Sequence, residues 1–204
     1  MKDNLLEFYV NKYNFSNGTD TLNLDFLPPI LRRRMSTLDK IAIANLNSVY
    51  CEDIQNIIFA SQYGEVERLI KLITQYSENK EVSPNLFSGS VHNYATGFFL
   101  LNKQKPITYT AISACEHTIS TGLLLSVIAN YDNNLFCYAD TNNTQTNAMA
   151  INLTKIPTPE FVKYIIKLEN NVAVNDEFDG FIKLLNGEIN SLKTSIYTIE
   201  RATK

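Results

Sequence analysis

The chain contains few residues suited to nucleophilic or acid–base chemistry. Its 204 residues include three cysteines and only two histidines. Cys115 is the candidate nucleophile, because it follows the apolar run 106–112 and the small turn Ser113–Ala114, and precedes a segment with almost no charge. The dipole of a helix stabilises a thiolate at its N-terminus, so a strand that leads a cysteine to that position favours a reactive thiol. Free cysteines are commonly just buried, however, which favours a small core residue at Cys115 over a working nucleophile.

The other candidate groups have ordinary structural interpretations. His117 lies two positions beyond Cys115, roughly 200° around a helix, so we expect the two side chains to diverge. His92 is expected to cap or hydrogen-bond near the start of its helix rather than serve as a base. Cys51 and Cys137 are expected in the core. The sequence predicts neither a metal site nor a cofactor.

Composition excludes several classes of protein. Hydrophobic residues make up 45% of the chain and charged ones 19%, which indicates a globular fold. A net charge of −3 without a basic stripe argues against nucleic acid as a partner. No apolar run approaches the roughly 20 residues that span a bilayer. The charged N-terminus does not look like a signal peptide, and the odd number of cysteines predicts free thiols in a reducing cytoplasm.

The pattern of apolar segments predicts a layered α/β domain. Segments with helical spacing alternate with apolar runs, and Ser36 with Asp39 three residues on predicts a capping box. We expect one domain over 1–204, in which about 175–204 is a C-terminal helical tail. Segment 161–168 fits either a helix or a strand. Strands are predicted at 5–13, 54–60, 107–113, 135–139 and 148–153, and helices at 36–49, from 65, at 93–101 and at 116–130.

Three ordered motifs carry a resemblance to a known family. They are Arg33-Arg34-Met35-Ser36, then Phe59-Ala60-Ser61-x-x-Gly64-Glu65, then Ser83-Pro84-x-x-Phe87-Ser88-x-Ser90-Val91-His92-Asn93-x-x-x-Gly97. This order resembles the β-ketoacyl synthase-like N-terminal family of the thiolase superfamily, in particular the short subunits encoded with aryl-polyene pigment genes. The resemblance covers about 25–155. It implies a thiolase-like half-fold, with a mixed sheet packed by helices as in the N-terminal half of a ketosynthase.

The resemblance places Cys115 where condensing enzymes have their nucleophile, with two departures. Such enzymes use two histidines from a C-terminal half that this chain does not reach, and Glu116–His117 replace the small residues that usually follow the cysteine. The resemblance therefore implies a non-catalytic, chain-length-factor-like subunit. It would pair with a full-length ketosynthase as a heterodimer and shape the acyl tunnel in type II polyketide or fatty-acid-like (aryl polyene) biosynthesis. The alternative is a β-ketoacyl synthase or acyltransferase that uses Cys115.

The resemblance also implies partner surfaces. In thiolase-type dimers the strand and loops beside the nucleophile lie at the subunit interface, so residues 83–113 are the expected contact surface with the ketosynthase. The contact residues expected within it are Ser90, Val91, His92, Asn93, Tyr94 and Tyr109. Arg32, Arg33 and Arg34 could form an anion or phosphopantetheine site. A solvated or interface helix entry is favoured, because charge runs usually face water or partners. In a third hypothesis the three arginines meet the acidic surface of an acyl carrier protein.

Overall fold

Eight strands form a mixed sheet in the computed structural model, which describes residues 5–142, 145–169, 171 and 176–202. The order across the sheet is β3-β2-β4-β5-β1-β6-β8-β7. β2 is parallel to both β3 and β4, and the remaining pairs are antiparallel. The strands are β1 (Leu5–Asn17), β2 (Asn56–Ala60), β3 (Thr108–Ile112), β4 (Asn133–Thr141), β5 (Thr146–Thr154), β6 (Val162–Leu168), β7 (Ser191–Lys193) and β8 (Tyr197–Arg201).

Helices cover both faces of the sheet, which confirms the predicted layered α/β architecture. The helices are α1 (Pro29–Arg32), α2 (Thr37–Val49), α3 (Val66–Asn79), α4 (Pro84–Ser88), α5 (Tyr94–Lys103), α6 (Thr118–Ile128) and α7 (Glu177–Asn186). α2 and α5 share one hydrophobic cluster with the sheet, and α6 and α7 share the cluster on the opposite face. The predicted capping box begins α2, because Ser36 Oγ accepts from Asp39 N and the Asp39 carboxylate accepts from Ser36 N.

α6 lies very close to the central strands. A Cβ added at Gly122 would lie 2.6 Å from the Phe136 ring and 2.9 Å from the Ala60 Cβ. Only a glycine permits this approach of helix to sheet. The close packing fixes the position of the residues that precede α6, including Cys115.

The C-terminal segment differs from the expected helical tail. Residues 177–186 are helical, but 191–193 and 197–201 are strands, so the prediction is wrong for that part. Leu192, Tyr197 and Ile199 are buried, and the Tyr197 hydroxyl donates to Ser120 O of α6 at 3.0 Å. Pairing with β6 buries this apolar surface better than an isolated helix would. Residues 175, 203 and 204 of the predicted tail lie outside the described residues.

The structure also shows the secondary structure of segment 161–168 and the exposure of segment 107–113. The ambiguous segment 161–168 is a strand, β6. The apolar run at 107–113 is a strand as predicted, but it is not buried: β3 is an edge of the sheet, and Thr108, Tyr109 and Thr110 are exposed. An edge strand presents unpaired backbone groups to an incoming strand.

Candidate functional site

Cys115 lies in a tight turn between β3 and α6. A short 3₁₀ turn, Cys115–His117, precedes α6, and Cys115 has a positive φ of 52°. Its side chain is exposed, so the expectation of a small buried core residue is wrong. A non-glycine residue with positive φ carries backbone strain of about 1–3 kcal/mol and persists only where its surroundings enforce it.

Local hydrogen bonds enforce that conformation. Thr118 Oγ1 donates to Cys115 O at 2.6 Å and accepts from Ala114 N at 3.0 Å, which closes the turn on both sides. Ser113 Oγ donates to Gln62 O at 3.1 Å and so attaches the turn to the loop after β2. The geometry therefore presents the thiol at the surface of the sheet's carboxyl end.

The cavity beside Cys115 is acidic. It has a volume of about 380 Å³. Glu116, Asp176 and Glu177 contribute carboxyl groups, and no basic residue or histidine is among the described residues that line it. The lining residues are Gln62, Cys115, Glu116, Thr118, Ile119, Tyr138, Gln145, Asn147, Asp176, Glu177 and Phe178.

Glu177 lines this cavity and holds the first turn of α6. Its Oε2 accepts from Ser120 N at 3.1 Å, which satisfies one of the free amides at the helix N-terminus. Burial raises the pKa of Glu177, while its hydrogen bonds to Ser120 oppose that change. The helix end that would stabilise a thiolate is therefore already occupied by a carboxyl group of the chain.

Neither histidine lines the cavity. His117 Nδ1 lies 3.0 Å from Ser195 Oγ, and its Nε2 lies 3.7 Å from Glu116 Oε1. His92 packs edge-on against Phe59, with ring centroids 6.0 Å apart. His92 does not cap α5, whose N-cap is Asn93, but its ring forms a hydrogen bond with the backbone of Ile112 in β3, so the alternative expectation of a local hydrogen bond stands. Its Nε2 is buried without a hydrogen-bond partner among the described residues. Burial lowers the pKa of His92, and the Asp140 carboxylate opposes that effect.

The other two cysteines lie away from the cavity. Cys137 is fully buried in β4, as predicted. Cys51 is half-buried and packs against the edge of the core cluster, so it is a core residue only in part. Its Sγ accepts from Asn152 Nδ2 at 2.8 Å. Burial raises the pKa of the Cys51 thiol to about 11.

A buried carboxylate that the sequence interpretation missed fixes the loop after β2. Asp140, at the end of β4, accepts from Ser61 Oγ at 2.7 Å, from Gln62 N at 2.7 Å and from Tyr63 N at 3.0 Å. Ser61 Oγ in turn accepts from Gly64 N at 2.9 Å, where the backbone has a φ of 56°. These bonds determine where Gln62 stands at the cavity.

A second missed cluster explains why two of the family motifs occur together. Ser36 Oγ of the first motif donates to Glu65 Oε1 of the second at 2.7 Å. Arg68 Nη2 donates to Asp39 Oδ2 at 2.5 Å, and Arg68 Nε lies 3.4 Å from Glu65 Oε2. All three charged side chains are buried, and they join the starts of α2 and α3. Burial and the neighbouring Asp39 raise the pKa of Glu65 to about 8.

This pKa predicts a pH-dependent stability. The folded state binds the Glu65 proton more tightly than the unfolded chain, in which a glutamate has its ordinary pKa of 4.5. The contribution of Glu65 to the free energy of unfolding is therefore complete below about pH 4.5. It falls by at most about 1.4 kcal/mol per pH unit up to about pH 8, and is lost above that. Glu65→Gln, which keeps an acceptor for Ser36, is expected to flatten this slope in urea titrations between pH 5 and 8.

Glu67→Gln is the matched control for that measurement. Glu67 lies two residues further on, in the first turn of α3, and is exposed, so its removal should leave the slope of wild type. An equal slope in wild type and Glu65→Gln would contradict the assignment of the proton to Glu65.

Among the expected contact residues, Asn93 and Tyr109 meet at the β3 edge. Asn93 Nδ2 donates to Tyr109 Oη at 3.3 Å, and Tyr109 and Val91 are exposed. Ser90 Oγ donates to Phe87 O at 2.8 Å, which closes the turn after α4. The Tyr94 ring lies beneath the Arg68 guanidinium at 4.9 Å.

The three arginines of the predicted run differ in their partners. Arg32 forms an ion pair with Asp25 at 3.0 Å. Arg33 and Arg34 are exposed, and within the part of the chain that the structure describes they form no ion pair. Two positive charges are thus available to an external partner.

The described residues offer neither a metal cluster nor a membrane-spanning helix. No group of three or more His, Cys, Asp or Glu side chains between residues 5 and 202, outside the gaps in the description, is arranged to hold a metal ion. In the same set of residues, none of the helices has the length and apolar character needed to cross a bilayer.

The strand order, the helices on both faces and the cysteine turn at the sheet's carboxyl end define a ketosynthase-type α/β fold. The family model described as "Beta-ketoacyl synthase, N-terminal domain" matches residues 9–163. The chain therefore belongs to the β-ketoacyl synthase N-terminal domain family. No curated protein was found whose sequence matches the chain.

Solved structures of related complexes share the fold. A structure described as a ketosynthase (ApeO) in complex with its chain length factor (ApeC), from Xenorhabdus doucetiae, has a TM-score of 0.77 at 16% identity, over 96% of this chain and 100% of that chain. The ishigamide ketosynthase/chain length factor has a TM-score of 0.60 at 12% identity, over 78% of this chain and 55% of that one. A β-ketoacyl synthase from Burkholderia phymatum STM815 has a TM-score of 0.54 at 10% identity, over 85% and 58%. These likenesses confirm the predicted thiolase-like half-fold.

Proposed function

We propose that the chain is a non-catalytic, chain-length-factor-like subunit that pairs with a full-length ketosynthase. The complex would work in a type II polyketide or fatty-acid-like pathway of the aryl-polyene kind, in the cytoplasm, and residues 1–204 would act as one ketosynthase-like N-terminal domain. The chain's family and the ketosynthase/chain length factor complexes that share its fold support the class. One observation carries the non-catalytic part: the cavity beside Cys115 holds three carboxyl groups and neither histidine.

The chemistry of condensation explains why carboxyl groups beside Cys115 argue against catalysis. Decarboxylative condensation requires a thiolate to carry the acyl group and hydrogen-bond donors to stabilise the enolate that forms from a malonyl thioester. Both the thiolate and the malonyl carboxylate are anions. The carboxyl groups of Glu116, Asp176 and Glu177 repel anions where they are ionised, and no cation among the described lining residues offsets them.

The edge position of β3 supports the proposed pairing with the ketosynthase. An exposed edge strand can pair with a strand of another chain through backbone hydrogen bonds. Asn93 and Tyr109 lie directly beside this edge, and Val91 is exposed nearby. The proposed contact surface is therefore residues 83–113, which contain β3 as well as Ser90, His92 and Tyr94.

The arginine run is the proposed contact for an acyl carrier protein. Arg33 is exposed and unpaired among the described residues, whereas Arg32 is held by Asp25. An acidic protein surface would supply the missing partner for Arg33. Charge reversal at Arg33 that leaves carrier-protein binding unchanged would argue against this contact.

Replacement of the candidate nucleophile tests whether the chain is catalytic. In cells that express the chain with its ketosynthase, Cys115→Ala is expected to leave the amount and length of the polyene product within about twofold of wild type, because a non-catalytic thiol carries no acyl group. Product analysis by liquid chromatography and mass spectrometry measures this directly.

Two controls make the result decisive. Cys51→Ala removes a thiol that lies away from the cavity, and replacement of the ketosynthase's own nucleophile should abolish the product. A loss of product of about 100-fold or more with Cys115→Ala, but not with Cys51→Ala, would instead support the alternative function. The chain would then be a β-ketoacyl synthase or acyltransferase that uses Cys115.

A further inference from the structure

A large groove lies between α3 and α4, on the side of the molecule that leads to β3. This α3–α4 groove has a volume of about 770 Å³. Ile70 and Leu86 give it apolar walls, and Tyr94 and the buried Arg68 line it as well. Arg34 and Lys71 add two exposed cations, and the remaining lining residues are neutral and polar. The groove therefore combines apolar walls with a basic character.

Two of the three positive charges of the groove have no ion-pair partner among the described residues. Arg68 is engaged by Asp39 and Glu65, but neither Arg34 nor Lys71 forms an ion pair with any described residue. No Asp or Glu is among the described residues that line the groove. This local excess of cations occurs in a chain whose net charge is −3. The groove therefore fits an occupant that carries carboxylates.

α3 also has an exposed apolar face, which meets the groove at Ile70. Leu69, Ile70, Ile73 and Tyr76 of α3 are between 49% and 61% exposed, and Phe87 of α4 is 62% exposed. The high amphipathicity of α3 predicts a covered face, yet the apolar face is the one left open. Contiguous apolar patches of this kind mark sites of protein association.

We propose that an acidic amphipathic segment of the ketosynthase subunit lies in the α3–α4 groove. This inference rests on the proposed function, because it takes the ketosynthase as the partner. The groove continues into the proposed pairing surface: Tyr94 lines it, and the adjacent Asn93 donates to Tyr109 of β3.

Two other occupants fit the observations less well. A second copy of this chain docked groove to groove would place Arg34 and Lys71 of one copy against those of the other, and like charges across an interface are strongly unfavourable. A partner that visits only briefly would leave the apolar α3 face in water for most of the time, whereas large apolar interfaces are typical of permanent complexes.

Charge reversal tests the proposed occupant. The double variant Arg34→Glu/Lys71→Glu changes two exposed side chains and is expected to weaken binding to the ketosynthase by about 10-fold or more at low salt. It should also reduce the salt dependence of binding, because fewer ion pairs form. Titration of the purified full chain into the ketosynthase at several salt concentrations measures both effects. Hydrogen exchange of residues 66–88, with and without the ketosynthase, should show protection on binding.

The control variant is Lys12→Glu/Lys193→Glu, which changes the net charge equally at exposed positions on β1 and β7. It should bind within about threefold of wild type, because rim charges away from the contact contribute little. The inference is overturned if the groove variant binds as tightly as this control, or if residues 66–88 gain no protection. If wild type does not bind the ketosynthase at all, the proposed function fails together with the inference.

Discussion

Asp140→Ala is expected to lower the free energy of unfolding by about 3 kcal/mol, because it leaves the buried Ser61 hydroxyl and two part-buried backbone amides without their acceptor. The carboxylate accepts from Ser61 Oγ and from the backbone amides of Gln62 and Tyr63, and it is itself buried. A small residue in its place would leave a gap that restores none of these bonds. Chemical denaturation followed by circular dichroism measures the loss.

Two further variants separate this effect from a general loss of charge. Asp140→Asn keeps one carbonyl oxygen as an acceptor, so its loss should be smaller than that of the alanine variant. Asp25→Ala removes an exposed carboxylate that pairs with Arg32 and should change stability by less than about 0.5 kcal/mol. Equal losses for Asp140→Ala and Asp25→Ala would show that Asp140 does not hold the loop.

Local signals made parts of the fold predictable. The start of α2 follows from Ser36 and Asp39, since a capping box involves residues three positions apart. β7 and β8 could not be predicted in the same way. β7 is three residues long, and the partner that stabilises β8 is β6, about 30 residues earlier in the chain. Whether β3 is central or an edge depends on the order of strands, which hydrophobic pattern alone does not encode.

The candidate site was only partly predictable for the same reason. The place of Cys115 between a strand and a helix follows from composition and motif. Its exposure does not, because nothing in the sequence marks a cysteine that adopts a φ of 52°. The acidic cavity combines Glu116 with Asp176 and Glu177, about 60 residues further along the chain. Asp140 acts on Ser61, 79 residues away. Such partners become visible only when the topology is known.

The backbone geometry of β3 identifies Ala111 as the residue whose replacement should disrupt pairing with a ketosynthase strand. Ile112 O accepts from Ser61 N at 3.1 Å, so the backbone groups of Ile112 face β2. Because these groups alternate along a strand, those of Thr110 also face β2, and those of Tyr109 and Ala111 face away from the sheet. The amide of Ala111 is therefore available to a strand of the ketosynthase.

Ala111→Pro removes that outward amide while keeping every hydrogen bond between β3 and β2, since proline is tolerated where an edge strand's N–H points outward. If the ketosynthase pairs along β3, the substitution is expected to weaken binding by about 100-fold, equivalent to about 2.8 kcal/mol. Co-purification and titration calorimetry measure the change. A second variant, Thr108→Lys/Thr110→Lys, leaves the backbone intact and places charge on exposed side chains of the same edge, where it should also block strand addition.

The opposite edge of the sheet supplies the matched control. In β7, Asn190 O accepts from Arg201 N at 2.9 Å and Thr194 N donates to Tyr197 O at 2.8 Å, so the amide of Ser191 points away from β8. Ser191→Pro thus makes the same chemical change at an edge that the proposed interface does not use, and binding should stay within about threefold of wild type. Unimpaired binding by both Ala111→Pro and the double lysine variant would exclude pairing along β3. Loss of binding by all three variants would instead indicate that proline or charge at an edge damages the fold, which thermal unfolding of each variant would show directly.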